Sequence, residues 1–182
     1  GVMNTHVVEK NGYQGLFIPP VPHDAGTALG AALWIWHVKL SRKRDFILKH
    51  AFWGPKYSND EIESTLKNSD MNFKFYSKES LLDQVAEDIN SGKVIGWFQG
   101  RMEYGPRALG NRSILANPTL PDMRDRVNRS IKFREEFRPF APSVLEEYKD
   151  EYFDMQRRSD FMLEVINVKE SKRDVIPSVV HV

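Results

Sequence analysis

The sequence contains no cysteine, no long hydrophobic run and almost no net charge. Zero cysteines among 182 residues exclude disulfide frameworks, thiolate zinc sites and cysteine nucleophiles, and are compatible with a reducing compartment. The 26 basic and 25 acidic side chains leave a net charge of +1, so no overall field favours a nucleic-acid or membrane partner. The longest apolar run, from Ala28 to His37, is too short to cross a bilayer, and no basic-then-apolar export pattern opens the chain. We therefore expect a soluble, cytoplasmic protein with neither of these partners.

Two common phosphate-binding motifs and a complete metal site are also missing. No Gly-x-x-x-x-Gly-Lys-Ser/Thr run occurs, and the spacing of Gly100, Gly105 and Gly110 does not match Gly-x-Gly-x-x-Gly. The five histidines show no paired spacing, and His23 beside Asp24 is by itself typical of a loop histidine. A phosphate group would therefore have to be held mainly by side chains.

Hydrophobic spacing divides the chain into helices and strands. Leu29, Leu33, Trp36 and Leu40 recur at helical spacing, which predicts an amphipathic or largely buried helix over 25–41. Further helices are predicted at 60–67 (capped by Asn59-Asp60), 81–89, 121–131 and 146–152, and strands at 16–18, 72–76, 94–98, 140–145 and 161–168. This alternation predicts an α/β or α+β fold.

The two ends of the sequence suggest that it is a piece of a longer protein. Gly1 stands where an initiator methionine would be expected. The last residues, 176–182, look like an apolar strand that is interrupted in mid-course.

Positive charge is concentrated in one stretch of this nearly neutral chain. Between residues 100 and 138 the basic side chains are Arg101, Arg107, Arg112, Arg124, Arg126, Arg129, Lys132, Arg134 and Arg138. The planar guanidinium group of arginine binds phosphate oxygens in pairs, so the preference for arginine over lysine favours anion recognition. The alternative for Arg124, Arg126 and Arg129 is that they only solvate one face of the 121–131 helix.

The first part of this stretch predicts an anion-binding loop. Arg101, Arg107 and Arg112 follow the apolar strand at 94–98, beside Asn111 and Ser113, and glycines punctuate the segment. Ligand-binding loops commonly follow strand ends, and glycine allows backbone N–H groups to approach an anion closely.

The second part leaves two interpretations open. Lys132, Arg134 and Arg138 alternate with the aromatic residues Phe133, Phe137 and Phe140. The aromatic rings could simply anchor a loop. Basic residues interleaved with aromatic ones also suit base stacking, so an RNA-binding module remains an alternative function, although the near-zero net charge argues against it.

Several of these stretches resemble the O-carbamoyltransferases of the NodU and CmcH type, which act in nodulation-factor and antibiotic biosynthesis. Gly100 to Leu115 resembles the signature of that family, and residues from Val127 to Leu145 continue it in register. Asp24 to Ala32 resembles a second block, and Gly1 to Asn4 the remnant of a third. The resemblance covers nearly the whole chain and identifies it with the C-terminal part of such an enzyme.

The resemblance implies a division into an actin-like and a YrdC-like part. Residues 1–44 would be the C-terminal remnant of an actin-like ATPase-fold transferase domain, related to the tRNA threonylcarbamoyl transferases. Residues 45–77 would be a connecting segment. Residues 78–182 would form a YrdC-like domain, truncated at its C-terminus, with a mixed sheet and flanking helices.

The resemblance also implies a two-step, ATP-dependent reaction. The YrdC-like domain would free carbamate from carbamoyl phosphate and join it to ATP, used with Mg²⁺, as carbamoyl-adenylate. The actin-like domain would then transfer the carbamoyl group to an acceptor hydroxyl on a sugar or an antibiotic-like small molecule. The chemistry suits an arginine-rich site, because two polyanions must be held together while negative charge develops.

Site residues follow from the resemblance residue by residue. It implies catalytic roles for Arg107 and Arg112 and substrate binding by Arg101, Arg107, Asn111, Arg112, Ser113, Lys132, Arg134 and Arg138. Asn4 and Gly26 would contact the nucleotide, Gly26 through backbone N–H groups at a helix start. Asp24 would be one ligand of an iron(II) ion whose two histidine ligands come from earlier in the full-length enzyme. Because those histidines are not in this sequence, we expect this chain to bind carbamoyl phosphate or ATP without carbamoylating an acceptor by itself.

Overall fold

A small sheet lies in the middle of the sequence, with helices before and after it. The computed structural model describes residues 1–13, 16–155 and 157–181. Within these ranges the elements are α1 (Val2–Asn11), α2 (Gly26–Trp34), α3 (Asn59–Asn68), α4 (Lys78–Asn90), β1 (Ile95–Phe98), β2 (Arg112–Leu115), α5 (Met123–Val127) and α6 (Lys149–Tyr152). This mixture of helices with a two-stranded sheet confirms the predicted α+β class.

Short turns of other helical types extend two of the helices. A π-helical segment, Ile35–Lys39, continues α2, and a second one, Asn128–Lys132, continues α5. The predicted helices over 25–41 and 121–131 are therefore confirmed, but the last turn of each is wider than an α-helical turn. Short 3₁₀ segments occur at Glu146–Tyr148, Glu170–Lys172 and Pro177–Val179.

Local capping explains where α3 and α4 begin. The side chain of Ser58 accepts a hydrogen bond from the N–H of Glu61 at 3.2 Å, while the Glu61 carboxylate accepts one from the Ser58 N–H at 2.7 Å. This reciprocal pair is a capping box, so Ser58 is the cap rather than the predicted Asn59-Asp60 pair. Ser77 caps α4 in a similar way by accepting from the N–H of Ser80.

Most of the predicted strands are wrong. The segments 16–18, 72–76, 140–145 and 161–168 are not strands, and the apolar C-terminal run contains a 3₁₀ turn instead. In the third of these segments Pro142 has no N–H to donate to a neighbouring strand, and in the fourth the positive φ of 53° at Met162 interrupts an extended course. β2, which pairs with the predicted strand β1, is an additional strand that the hydrophobic pattern did not predict.

The chain divides into two compact units, each built from several segments. The first unit comprises Gly1–Tyr57, Phe98–Arg112 and Ser159–Val165, and the second comprises Ser58–Trp97, Ser113–Arg158 and Ile166–Val182. The N-terminal residues thus share a unit with the loop after β1. The domain division at 1–44, 45–77 and 78–182 stays a prediction.

Burial is limited in both units. The main cluster of the second unit is formed by Phe153, Val168 and Ile176. In the first unit α2 is not the buried helix that its apolar composition suggested, because Trp34 is 51% exposed beside an open apolar groove of about 440 Å³. β1 is also less buried than predicted, since Phe98 lies at the surface. None of the described helices is long and apolar enough to cross a membrane.

Candidate functional site

The basic loop that follows β1 is tightly turned. We call residues 99–112 the arginine loop. Gly100, Gly105 and Gly110 have φ values of 56°, 119° and 107°, a region that side chains with a Cβ atom rarely adopt. The chain bends at each of these glycines between β1 and β2.

A buried carboxylate lies at the centre of the arginine loop. Glu103 is only 5% exposed, and its Oε1 accepts hydrogen bonds from three backbone N–H groups: Leu109 at 2.7 Å, Asn111 at 2.8 Å and Arg112 at 3.2 Å. Burial by itself would raise the pKa of Glu103, but the backbone hydrogen bonds outweigh it and hold that pKa below its ordinary value. The other oxygen, Oε2, is buried without a hydrogen-bond partner among the described residues.

The side chain of Asn111 also holds the loop rather than projecting from it. Its Nδ2 donates to the carbonyl oxygen of Arg101 at 2.7 Å. The backbone carbonyl oxygen of Asn111 accepts a hydrogen bond from the backbone N–H of Gln99 at 2.9 Å. The Gln99 amide adds bonds to the Gly110 carbonyl and to Asn111 Oδ1. In this structure Asn111 connects the two ends of the loop.

Arg101 is engaged within the first unit. Its Nη1 donates to the carbonyl oxygens of Gly54 at 3.0 Å and Trp53 at 3.4 Å. Its backbone forms an isolated bridge with Lys56, and the neighbouring Met102 exchanges backbone hydrogen bonds with Gly54 and Pro55. Part of its hydrogen-bonding capacity therefore serves the fold.

The arginine loop is fixed against the segment that precedes α2. Tyr104 Oη donates to the carbonyl oxygen of Ala25 at 2.6 Å. A Cβ atom at Gly105 would lie 2.9 Å from Val21 Cγ2 and 3.0 Å from the Pro20 carbonyl oxygen, so only glycine fits there without displacement. The contact joins two of the stretches that the sequence singled out.

Arg107 and Arg112 differ from the other side chains of the loop. Both are exposed, and neither guanidinium group has a hydrogen-bond or ion-pair partner among the described residues. They are therefore the loop cations that are available to a ligand. Ser113, the next predicted site residue, lies in β2 and belongs to the second unit.

We call residues 124–138 the second basic segment, and its contacts centre on a buried asparagine. Asn128 is fully buried, and its Nδ2 donates to the carbonyl oxygens of Glu136 at 3.2 Å and Arg138 at 3.0 Å. Its Oδ1 accepts from Arg134 Nε at 2.7 Å, and the Arg134 guanidinium lies 4.7 Å from the centre of the Phe140 ring. Arg134 is thus part of the local fold.

Most of the other cations of this segment are paired with carboxylates. Arg124 pairs with Asp125, Arg129 with Glu136 and Arg138 with Glu135. Lys132 is exposed and has no such partner within the described ranges. Phe133 and Phe137 are 84% and 78% exposed, so these two rings do not anchor the loop.

The predicted nucleotide and metal residues of the first unit have local structural roles. Asn4 Nδ2 donates to the Leu163 carbonyl oxygen at 2.7 Å. Gly26 donates its N–H to the His23 carbonyl oxygen at 2.7 Å, and a Cβ atom there would clash with the Val21 carbonyl oxygen. At Gly26 the space that a side chain would need is therefore occupied by the backbone of Val21.

Asp24 does not form a metal site with other residues that the structure describes. It is exposed, and no group of three histidine, cysteine, aspartate or glutamate side chains that could hold a metal lies within residues 1–13, 16–155 and 157–181. One carboxylate cannot by itself supply the ligand set of the implied iron ion.

Sequence reasoning missed Glu103 and Tyr104 as residues of the candidate site. Both lie inside the predicted anion-binding loop, where Glu103 is the one acidic residue beside Arg101, Arg107 and Arg112. A single acidic residue within an arginine-rich, glycine-punctuated loop was the available signal. The predicted site residues now fall in two groups: Arg101, Arg107, Asn111 and Arg112 belong to the first unit with Asn4, Asp24 and Gly26, and Ser113, Lys132, Arg134 and Arg138 belong to the second.

Comparison with known proteins gives relatives over almost the whole chain. An uncharacterized protein of Synechocystis is 42% identical over 94% of this chain and 29% of its own length. Nodulation protein NolNO of Sinorhizobium fredii is 41% identical over 99% of the chain and 27% of its length, and nodulation protein NolO of Bradyrhizobium diazoefficiens is 38% identical over 99% and 34%. The chain thus spans about a third of the length of the curated relatives it matches.

A family model matches the second half of the sequence. The model for the C-terminus of carbamoyltransferases aligns with residues 86–182, which include the arginine loop and the second basic segment. The match covers more than half of the chain and agrees with the resemblance of the signature residues. The chain therefore belongs to the carbamoyltransferase C-terminus family.

Proposed function

We propose that this chain is the part of an ATP-dependent O-carbamoyltransferase that binds carbamoyl phosphate and ATP. The observation that carries the proposal is the pair of guanidinium groups of Arg107 and Arg112, which are available to a ligand. In contrast, the side chains of Arg101 and Asn111 in the same loop donate hydrogen bonds to backbone carbonyl oxygens. Membership of the carbamoyltransferase family supplies the reaction class.

Hydrogen bonding within the arginine loop favours phosphate binding by side chains over binding by backbone N–H groups. The N–H groups of Leu109, Asn111 and Arg112 are already donated to Glu103, so they are not available to a phosphate in this conformation. A guanidinium group offers paired N–H donors and a permanent charge to phosphate oxygens. We therefore assign the phosphate of carbamoyl phosphate to Arg107 and Arg112, and propose both as catalytic residues.

The proposed chemistry has three steps, one hydrolysis followed by two group transfers. Water cleaves carbamoyl phosphate to carbamate and phosphate, and carbamate then attacks the α-phosphorus of ATP, which forms carbamoyl-adenylate and releases pyrophosphate. An acceptor hydroxyl finally takes the carbamoyl group and releases AMP. The contribution of Arg107 and Arg112 would be to position the anions and to stabilise charge that develops on phosphate oxygens. ATP binding by Asn4 and Gly26, the Mg²⁺ ion and the acceptor class, a sugar or antibiotic-like hydroxyl compound, belong to the same proposal.

Calorimetry with carbamoyl phosphate at pH 7 tests the proposal. We expect the purified wild-type chain to bind, and Arg107→Ala and Arg112→Ala each to raise Kd on the order of 10- to 100-fold, because a hydrogen bond to a charged group contributes about 1.5–3 kcal/mol. Arg124→Ala is the matched control, since Arg124 is paired with Asp125 and should leave Kd unchanged. Equal heats for all four proteins would contradict the proposal.

A second candidate, RNA binding, rests on the exposed rings of Phe133 and Phe137 beside Lys132. Base stacking on an aromatic ring contributes about 1–3 kcal/mol per base. The pairing of Arg129 and Arg138 with carboxylates counts against this candidate, because it reduces the charge available to a phosphate backbone. The affinity for RNA should fall steeply with rising salt concentration and should also fall in Phe133→Ala. An affinity that does not change with salt concentration would exclude RNA binding.

A further inference from the structure

The carboxylate of Glu103 is unexpected in a loop that is proposed to bind anions. It places a carboxylate in the loop that carries Arg107 and Arg112, although a negative charge there opposes the binding of a phosphate. It is also nearly inaccessible, and burial of a charge is unfavourable unless hydrogen bonds compensate for it. Three backbone N–H groups on one oxygen provide that compensation.

The three hydrogen bonds fix the end of the loop. The donors lie six, eight and nine residues after Glu103, so one side-chain oxygen closes the segment from residue 103 to residue 112. Convergent backbone N–H groups of this kind can themselves form an anion site. Here the chain's own carboxylate takes that place, and it leaves recognition to the side chains.

The same bonds keep Glu103 from neutralising the arginines. Oε1 is occupied by backbone donors and Oε2 is enclosed, and no ion pair joins this carboxylate to a cation of the described chain. Arg107, which lies between Glu103 and its N–H donors in sequence, remains exposed.

We infer that Glu103 is the positioning residue of the carbamoyl-phosphate site: it shapes the arginine loop through the N–H groups of Leu109, Asn111 and Arg112, and thereby presents Arg107 and Arg112. This inference rests on the proposed function for its ligand. Its structural part, closure of the loop by one side chain, does not depend on any ligand.

Two conservative substitutions of Glu103 distinguish an effect of side-chain length from an effect of charge. Glu103→Gln keeps an oxygen at the same reach and removes the charge, whereas Glu103→Asp keeps the charge and shortens the reach by one methylene group. A positioning role predicts that Kd for carbamoyl phosphate rises about tenfold or more in Glu103→Asp and stays within about threefold in Glu103→Gln. A purely electrostatic role instead predicts an unchanged Kd for Glu103→Asp and a lower Kd for Glu103→Gln.

Amide hydrogen exchange supplies a readout that needs no ligand. In Glu103→Asp the amides of Leu109, Asn111 and Arg112 should exchange at least about tenfold faster than in the wild type, while those of α4 keep their rates. Thr5→Val is the control for general destabilisation of the first unit, because Thr5 Oγ1 bonds to the backbone of Val165, which is not part of the arginine loop. It should change neither Kd nor these three rates.

The outcomes distinguish this inference from the proposed function. If the wild type binds carbamoyl phosphate and Arg107→Ala does not, but Glu103→Asp binds like the wild type, the positioning role is overturned and the proposed function stands. If the exchange rates of the three amides in Glu103→Asp equal those of the wild type, the positioning role is overturned whatever the binding data show. If the wild type does not bind carbamoyl phosphate at all, the proposed function fails together with the ligand assignment made here.

Discussion

The hydroxyl group of Tyr104 donates a hydrogen bond to the carbonyl oxygen of Ala25 at 2.6 Å, across 79 positions of the sequence. The bond connects the arginine loop to the turn in front of α2, so that two stretches with family resemblance share one compact unit. Because Gly105 packs against Val21 next to this bond, the two contacts fix the same part of the loop.

Removal of this hydroxyl group should destabilise the first unit. We expect Tyr104→Phe to lower the free energy of unfolding by about 1 kcal/mol, the usual net contribution of one hydrogen bond. Urea denaturation measures the difference. Tyr57→Phe is the control, since the Tyr57 hydroxyl has no partner among the described residues and its ring contact with Phe98 would survive. Equal losses in both variants would show that the bond to Ala25 contributes nothing.

Replacement of Gly105 by alanine should be worse than replacement of Gly110. Both glycines have positive φ values, 119° and 107°, so both alanine variants incur a conformational cost of about 1–3 kcal/mol. Only at Gly105 would the new methyl group also collide, with Val21 and Pro20, whereas no described atom lies within 4 Å at Gly110. The difference between the two thermal or urea midpoints isolates the steric part, and similar midpoints would contradict the close packing at Gly105.

The stability contributed by Glu103 should depend on pH. Its pKa is lower in the folded chain than the ordinary value of 4.5, so its carboxylate stabilises the fold above that pH and loses this effect as the pH falls through the folded pKa. We therefore expect the wild type to exceed Glu103→Gln in free energy of unfolding by a constant amount near neutral pH. Below about pH 4.5 the gap should narrow, because protonated glutamate resembles glutamine. Urea titrations of both proteins between about pH 7 and pH 3 measure the gap, and a gap that stays constant throughout would contradict this.

The buried amide of Asn128 should be the most sensitive polar position of the second unit. Asn128→Ala would leave two carbonyl oxygens and Arg134 Nε without their partner, at a cost of about 2–4 kcal/mol. Asn72→Ala, an exposed position outside any helix or strand, is the control and should change the unfolding free energy by less than about 0.5 kcal/mol. Fluorescence-monitored urea denaturation measures both values. A small effect at Asn128 would mean that the 133–138 segment does not depend on it.

The sequence did not predict α1, but the other helices could be predicted because their signals are local. The apolar spacing in α4 and a capping residue before α3 indicate these elements without reference to distant parts of the chain, although the cap of α3 is Ser58 and not the predicted Asn59-Asp60 pair. Strands need a partner, and the apolar segment at 161–168 has the composition of a strand but, among the described residues, makes only one isolated bridge, between Val168 and Phe153. Composition could not reveal that a partner strand is missing there.

The sequence indicated a candidate site, which stays a prediction, but it could not separate the roles of the residues in it. Arg101 and Arg107 look equivalent in the sequence, yet Arg101 donates to carbonyl groups of Gly54 and Trp53, nearly fifty positions earlier, and Arg107 does not. The partners of Glu103 are backbone N–H groups, which no side-chain pattern records. Resemblance indicated which residues matter, and only three-dimensional contacts separate those that shape the loop from those left available to a ligand.

The convergence of three amides on Glu103 has a consequence for the energetics of binding. A loop that is already closed by its own side chain has lost its conformational freedom before any ligand arrives, so a ligand need not order it. Carbamoyl phosphate would meet a preorganised surface, at a lower entropic cost than a glycine-rich loop of this length would otherwise impose. The glycines allow the loop to take its shape, and the buried carboxylate stabilises that shape.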